Sequence, residues 1–224
     1  MRIRWPLLLA AALCALAVAG LAFLVKTTPY IPLDAASARA IQSIDLGPLT
    51  SLFPLLSWAG GPGGPVVTAV TVLVVLLLNR SAWLLALAAI AGGVWYEVLV
   101  RLIHRARPTL DQVLQITEHP GASSFPSGHV IFITINLGVL MLCVGYRYLP
   151  GWGRRIAWLV LGAVVLLVAV SRVYVGAHWP LDVVASVLVA AGWLCLVVSI
   201  RTISNGAFVV RPGRDSNLSA TSIL

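Results

Sequence analysis

Long runs of aliphatic residues, broken by a few short polar clusters, organise this chain. The apolar runs at 5–25, 65–78, 82–103, 129–149, 156–171 and 181–200 predict six helices. A bilayer span needs about 20 predominantly apolar residues. The second and fifth runs fall short of that, so their ends are expected to extend into flanking polar residues. The stretch Gly60-Gly61-Pro62-Gly63-Gly64-Pro65 marks a break, and Pro65 suits a first helical turn. The pattern therefore predicts an all-α, polytopic membrane protein, a six-helix bundle over residues 1–201.

Between the runs the chain is less informative. Residues 31–58 are too polar to span comfortably. Residues 34–45 carry a weak helical pattern with Ile41 and Ile44, which predicts a surface helix on the outer interface. The segment 202–224 is rich in Ser, Asn, Gly and Thr and is expected to be a disordered cytoplasmic tail. The first run has a second reading as a signal peptide, because Arg2 and Arg4 precede it and Ala17-Val18-Ala19 resembles a cleavage site. Its apolar length exceeds the roughly 7–15 residues of such a core, which favours a span.

Composition agrees with the pattern. Of 224 residues, 60% are hydrophobic and 10% charged, against about 25% charged in soluble domains. Cys14, Cys143 and Cys195 all lie inside apolar runs and read as small buried hydrophobes, not as a disulfide framework or a metal site. The net charge of +8 does not point to nucleic acid, because it is divided between two faces. With the N-terminus inside, nine basic residues are cytoplasmic: Arg2, Arg4, Arg80, Arg147, Arg154, Arg155, Arg201, Arg211 and Arg214. Six are outside, namely Lys26, Arg39, Arg101, Arg105, Arg107 and Arg172, together with six of the seven acids. That excess inside follows the positive-inside rule and predicts two cytoplasmic termini.

The polar clusters then fall together on the extracytoplasmic face. They are Arg105-Ala106-Arg107-Pro108, Phe125-Pro126-Ser127-Gly128-His129, and Ser171-Arg172 followed by His178 and Asp182. Ionisable residues at a bilayer edge mark a functional site by default. These particular groups bind phosphate and move protons, which suggests phosphoryl transfer from a lipid. Ser127-Gly128-His129 opens a helix whose free N–H groups favour an anion, with Gly128 permitting close backbone approach and Ser127 adding a hydroxyl. Arg107 ends a span at Pro108 and carries a guanidinium fork matched to phosphate oxygens. Arg101 and Arg105 fit contact with lipid headgroups better than Arg107 does. Pro180 sets His178 just outside the last helix, and a carboxylate four residues on, Asp182, could hold one imidazole nitrogen. His104 and His119 match no such arrangement. No Walker-type loop, CxxC pair or cluster at metal-ligand spacing is visible, so neither metal nor cofactor is expected.

These residues resemble the motifs of the type 2 phosphatidic acid phosphatase superfamily of membrane lipid phosphatases: Lys-x6-Arg-Pro, Pro-Ser-Gly-His and Ser-Arg-x5-His-x3-Asp. The second stands here as Pro126-Ser127-Gly128-His129, and the third as Ser171-Arg172 with His178 and Asp182. The first departs from the pattern: Arg107-Pro108 is present, but Val100 occupies the lysine position, so either Arg101 beside it stands in as a cation or the site is tuned for a different headgroup. The resemblance implies a mechanism in which His178 attacks phosphorus, Asp182 orients it, and His129 serves as acid and then base. It implies that Arg107, Arg172, Ser127 and the Gly128 N–H hold the phosphoryl oxygens. The partner it implies is a membrane lipid phosphate, with undecaprenyl diphosphate favoured and phosphatidate or phosphatidylglycerophosphate as alternatives. A lipid-phosphate binder or transporter without turnover is the reading of another class.

Overall fold

The structure, a computed structural model, describes residues 3–118, 121 and 123–208. Its elements are helical throughout: α1 (Trp5–Thr27), α2 (Pro32–Gln42), α3 (Phe53–Gly60), α4 (Gly64–Asn79), α5 (Trp83–Ile90), α6 (Val94–Leu102), α7 (Gly128–Leu140), α8 (Tyr146–Tyr148), α9 (Gly151–Tyr174), α10 (Pro180–Ser199) and α11 (Arg201–Phe208). A π turn, Met141–Gly145, joins α7 to α8.

Among the described residues, five stretches are long and apolar enough to cross a membrane: Trp5–Thr27, Gly64–Leu102, Gly128–Tyr148, Gly151–Tyr174 and Pro180–Ser199. The second has 39 residues, about 58 Å of helix and roughly twice a hydrocarbon core. It does not run straight. A break at Asn79 and a single 3-10 turn, Arg80–Ala82, separate α4 from α5. Gly64 abuts Phe132 near the start of α7, whereas the Asn79 amide donates to the Cys143 carbonyl at its far end. The chain then returns through α5 and α6, so that Tyr96 lies against Gly128.

α7 is the central helix, packed against α3, α4, α5, α9 and α10. Its residues are buried nearly all round, as expected of a helix that is apolar on every face. Close helix contact depends on small residues, as is usual where lipid gives no hydrophobic drive to association. A side chain at Gly192 of α10 would come within 2.8 Å of Cys14 on α1. The start of α1 is tied to the end of α10: the Arg4 guanidinium donates to the Val198 carbonyl (2.9 Å) and the Ser204 hydroxyl (2.8 Å).

The surface helix expected at 34–45 is α2, begun by Pro32 and Asp34 as helix starts favour. It packs on α9 and buries Asp34 and Gln42. The tail is a correction. Residues 201–208 form α11, which packs against α5 and α10, and only 209–224 lie outside the described residues. The polar composition of this segment concealed an amphipathic helix.

Candidate active site

The spacing Arg172-x5-His178 is explained by the end of α9. Gly176 takes φ +75°, a left-handed conformation open to glycine at little cost. The chain turns so sharply there that the Arg172 carbonyl accepts from both the Ala177 and His178 N–H groups, at 3.1 and 3.2 Å. The turn places a buried arginine and a buried histidine side by side at one end of the bundle.

His178 is fixed through its Nδ1, 2.6 Å from the Ser124 carbonyl oxygen. A carbonyl only accepts, so Nδ1 carries the proton and Nε2 presents a lone pair. Burial, and after it the charge of Arg107, holds this imidazole well below its ordinary value of 6.5. It is therefore neutral at physiological pH. Asp182 does not hold the ring as the i+4 spacing suggested: its nearest oxygen is 3.9 Å from Nδ1, too far for a hydrogen bond. Because Pro180 starts α10 after His178, the two residues do not share one helical face. Asp182 instead accepts from the Trp179 N–H at 2.9 Å and from Arg105 at 2.6 Å. It braces the loop that carries His178 through the backbone.

Arg105 is the second correction. Expected at the lipid headgroups, it is only 3% exposed. Its guanidinium bridges Asp182 and Asp34, each at 2.6 Å. Asp34 in turn accepts from the Leu181 N–H at 3.0 Å. Two carboxylates and one arginine thus clamp the backbone on the C-terminal side of His178, and α2 supplies one of them.

Arg107 staples the loop wall. Its Nε donates to the Gly121 carbonyl, and its terminal nitrogens to the Ala177 and Ser123 carbonyls. Three of five N–H groups are so used. The side chain lines a cavity of about 280 Å³ that also touches His129, His178, Gly61, Gly128 and Tyr96. His129, in the first turn of α7, has Nε2 3.1 Å from the Ser57 carbonyl. Its ring fits against Gly60 and Gly61, where a side chain on Gly60 would lie 2.9 Å from the imidazole. The glycine-rich stretch is thus a wall of the site as well as a break between helices. Gly128 is small for a related reason: a Cβ there would sit 3.0 Å from the Tyr96 ring.

Arg172 is 1% exposed. It donates to the Ser57 hydroxyl at 2.9 Å and to Glu118 at 2.8 Å, while its second terminal nitrogen is buried and has no partner among the described residues. The Ser127 hydroxyl is likewise buried and unpartnered. Arg101 stands apart from all of these. Its side chain is 78% exposed and pairs with Glu97 at 3.3 Å, so it does not replace the lysine missing at Val100. His104 is exposed and outside the site, and His119 falls outside the described residues. Asp34, Ser124, Ser57 and Glu118 carried no signal in the sequence beyond being polar, and Arg105 was legible only as part of the basic cluster beside Arg107. Among the described residues, no group of three His, Cys, Asp or Glu side chains is placed to hold a metal ion.

The neutral state of His178 has a consequence for stability. The unfolded chain takes up a proton here near pH 6.5, which the folded chain refuses until the pH is well below that value. Stability from this group is complete above pH 6.5 and declines as the pH falls through 6.5 toward the lowered value. Thermal unfolding of detergent-solubilised protein between pH 8 and 5 is expected to show a larger acid loss for wild type than for His178→Gln. Equal losses would show that His178 is not held neutral.

Fold and site together define a polytopic membrane protein with a buried, arginine-rich, two-histidine cavity at one end of its bundle. A family model of the PAP2 superfamily matches residues 81–205, and the chain belongs to that superfamily. It is 41% identical over 76 residues to an undecaprenyl-diphosphatase of Sulfolobus acidocaldarius, covering 34% of this chain and 29% of that one. It is 32% identical over 123 residues to the bacitracin transport permease protein BcrC of Bacillus licheniformis, covering 51% and 56%. It is 30% identical over 92 residues to phosphatidylglycerophosphatase B of Bacillus subtilis, covering 39% and 41%. The matches thus span little more than half of these relatives at most. The crystal structure of a transmembrane PAP2-type phosphatidylglycerolphosphate phosphatase from Bacillus subtilis superposes with a TM-score of 0.68 at 20% identity, over 83% of this chain and 92% of that one. That likeness is one of fold.

Proposed function

We propose that this chain hydrolyses a phosphate or diphosphate ester of a membrane lipid through a phosphohistidine on His178. The observation that carries the reading is the tautomer of His178: Nδ1–H is given to the Ser124 carbonyl, leaving a neutral Nε2 lone pair beside a cavity shared with His129 and Arg107. In the first step Nε2 bonds to phosphorus and the P–O bond to the lipid breaks. The leaving oxygen keeps the electron pair and takes a proton from His129. In the second, His129 removes a proton from water, water oxygen bonds to phosphorus, and the P–N bond breaks to restore the lone pair. Arg107, Arg172, Ser127 and the Gly128 N–H stabilise the oxygens on which charge accumulates. Arg172 and Ser127 already offer unmet donors.

The return of the chain between α4 and α6 supports six spans, with both termini on one side. Arg4, Arg147 and Arg201 gather at the end opposite the cavity, and Arg147 reaches Asn79 there. By the positive-inside rule that end is cytoplasmic and the cavity extracytoplasmic. Similarity to an undecaprenyl-diphosphatase favours undecaprenyl diphosphate as substrate, with phosphatidylglycerophosphate and phosphatidate next. Phosphate release by purified protein from these three lipids tests the proposal. Release from undecaprenyl diphosphate with kcat/KM above the others is expected. Release from none would leave the lipid-phosphate binder as the better account.

A further inference from the structure

We propose that Glu118 is an anionic placeholder on Arg172, displaced when a phosphoryl group enters, and that it thereby sets how tightly the site holds phosphoryl dianions. The inference rests on the phosphatase reading and adds a residue that the motifs do not contain.

Glu118 presents both carboxylate oxygens to one polar cluster. The Ser57 hydroxyl lies 2.8 and 2.9 Å from them, and Arg172 donates to one at 2.8 Å. A bound anion with two oxygens on a serine and an arginine is a carboxylate version of a phosphoryl contact. The partners differ in how readily they can move. Arg172 is 1% exposed on α9, whereas Glu118 is 31% exposed and lies outside the helices, in the chain between α6 and α7. Displacing the glutamate costs a partly solvated ion pair. Displacing the arginine would unpack a helix end.

The occupancy is also incomplete. Among the described residues, the second terminal nitrogen of Arg172 and the Ser127 hydroxyl are buried without partners while Glu118 is in place. A carboxylate has two oxygens, and a phosphoryl group has more acceptors with which to serve such donors. Glu118 and a phosphoryl dianion on the same arginine would repel each other, so binding of one opposes the other. Ser57 connects this exchange to the acid–base group, because its carbonyl also accepts from His129.

The alternative is a strut, in which Glu118 holds Arg172 in the orientation the substrate needs. The two ideas predict opposite signs. The probe is inorganic phosphate, and the readout is its binding constant, measured as thermal stabilisation of detergent-solubilised wild type, Glu118→Gln and Glu118→Ala. If Glu118 is a placeholder, both variants bind phosphate tighter, by roughly fivefold to tenfold. Ser57→Ala, which frees the carboxylate from its hydroxyl, moves the constant the same way by less. An unchanged or weaker constant in the Glu118 variants overturns the proposal. Because this measurement needs no turnover, a wild-type chain that binds phosphate but releases none from lipid counts against the hydrolase reading alone.

Discussion

His178→Ala is expected to lower phosphate release by about a thousandfold or more, to the level that positioning and charge stabilisation supply without a nucleophile. The size follows from the role. Nε2 is the buried neutral lone pair of a ring fixed by the Ser124 carbonyl, and among the described residues the other histidine lining the cavity is His129. His129 has its Nε2 engaged by the Ser57 carbonyl and packs against Gly60 and Gly61. The fold is expected to survive, since the turn that places His178 is made by backbone bonds to Arg172 and by Gly176. Steady-state release from one lipid substrate, with circular dichroism as a control for folding, checks it. Activity within tenfold of wild type would remove His178 from the nucleophile role.

Arg105→Ala is expected to be the most destabilising single change near the site, by about 3–5 kcal/mol, the usual cost of leaving buried charge unpaired. The substitution strands two carboxylates, Asp34 and Asp182, each bonded to it at 2.6 Å. Both also hold N–H groups of the turn after His178, so loss of the clamp loosens His178 as well as the fold. Asp34→Asn removes one negative charge, keeps a hydrogen-bond acceptor and leaves the Arg105–Asp182 pair intact. It is expected to fold, with kcat reduced and KM little changed. Thermal melts for both variants and kinetics for Asp34→Asn test the point. Wild-type kcat in Asp34→Asn would make the clamp structural only.

The contrast between these two residues shows what the sequence could convey. His178 was legible because a short motif fixes its neighbours: Arg172, Gly176 and Pro180 are close in the chain, and turn chemistry follows from local residues. Arg105 was not, because its partner Asp34 lies 71 residues away. An arginine near a span end looks alike whether it meets lipid headgroups or a buried carboxylate. Ser124 was invisible for a different reason, since it acts through a backbone carbonyl that any residue carries. The i+4 spacing of His178 and Asp182 misled because Pro180 begins the helix between them. The apolar runs, by contrast, placed every long helix, since burial in lipid demands a continuous apolar stretch. The helix α11 was missed because it packs through small and polar residues such as Ser204 and Ala207.

The covalent step is open to direct trapping. His129 serves both steps in this mechanism, and in His129→Gln the intermediate accumulates because a lipid phosphate departs without a proton more readily than water attacks without a base. Incubation of that variant with lipid diphosphate labelled at its terminal phosphorus should leave label on the protein, acid-labile and alkali-stable as phosphohistidine is, in the peptide containing His178. Label on a different residue, or no label from an enzyme that still releases phosphate in a rapid single turnover, would contradict the account.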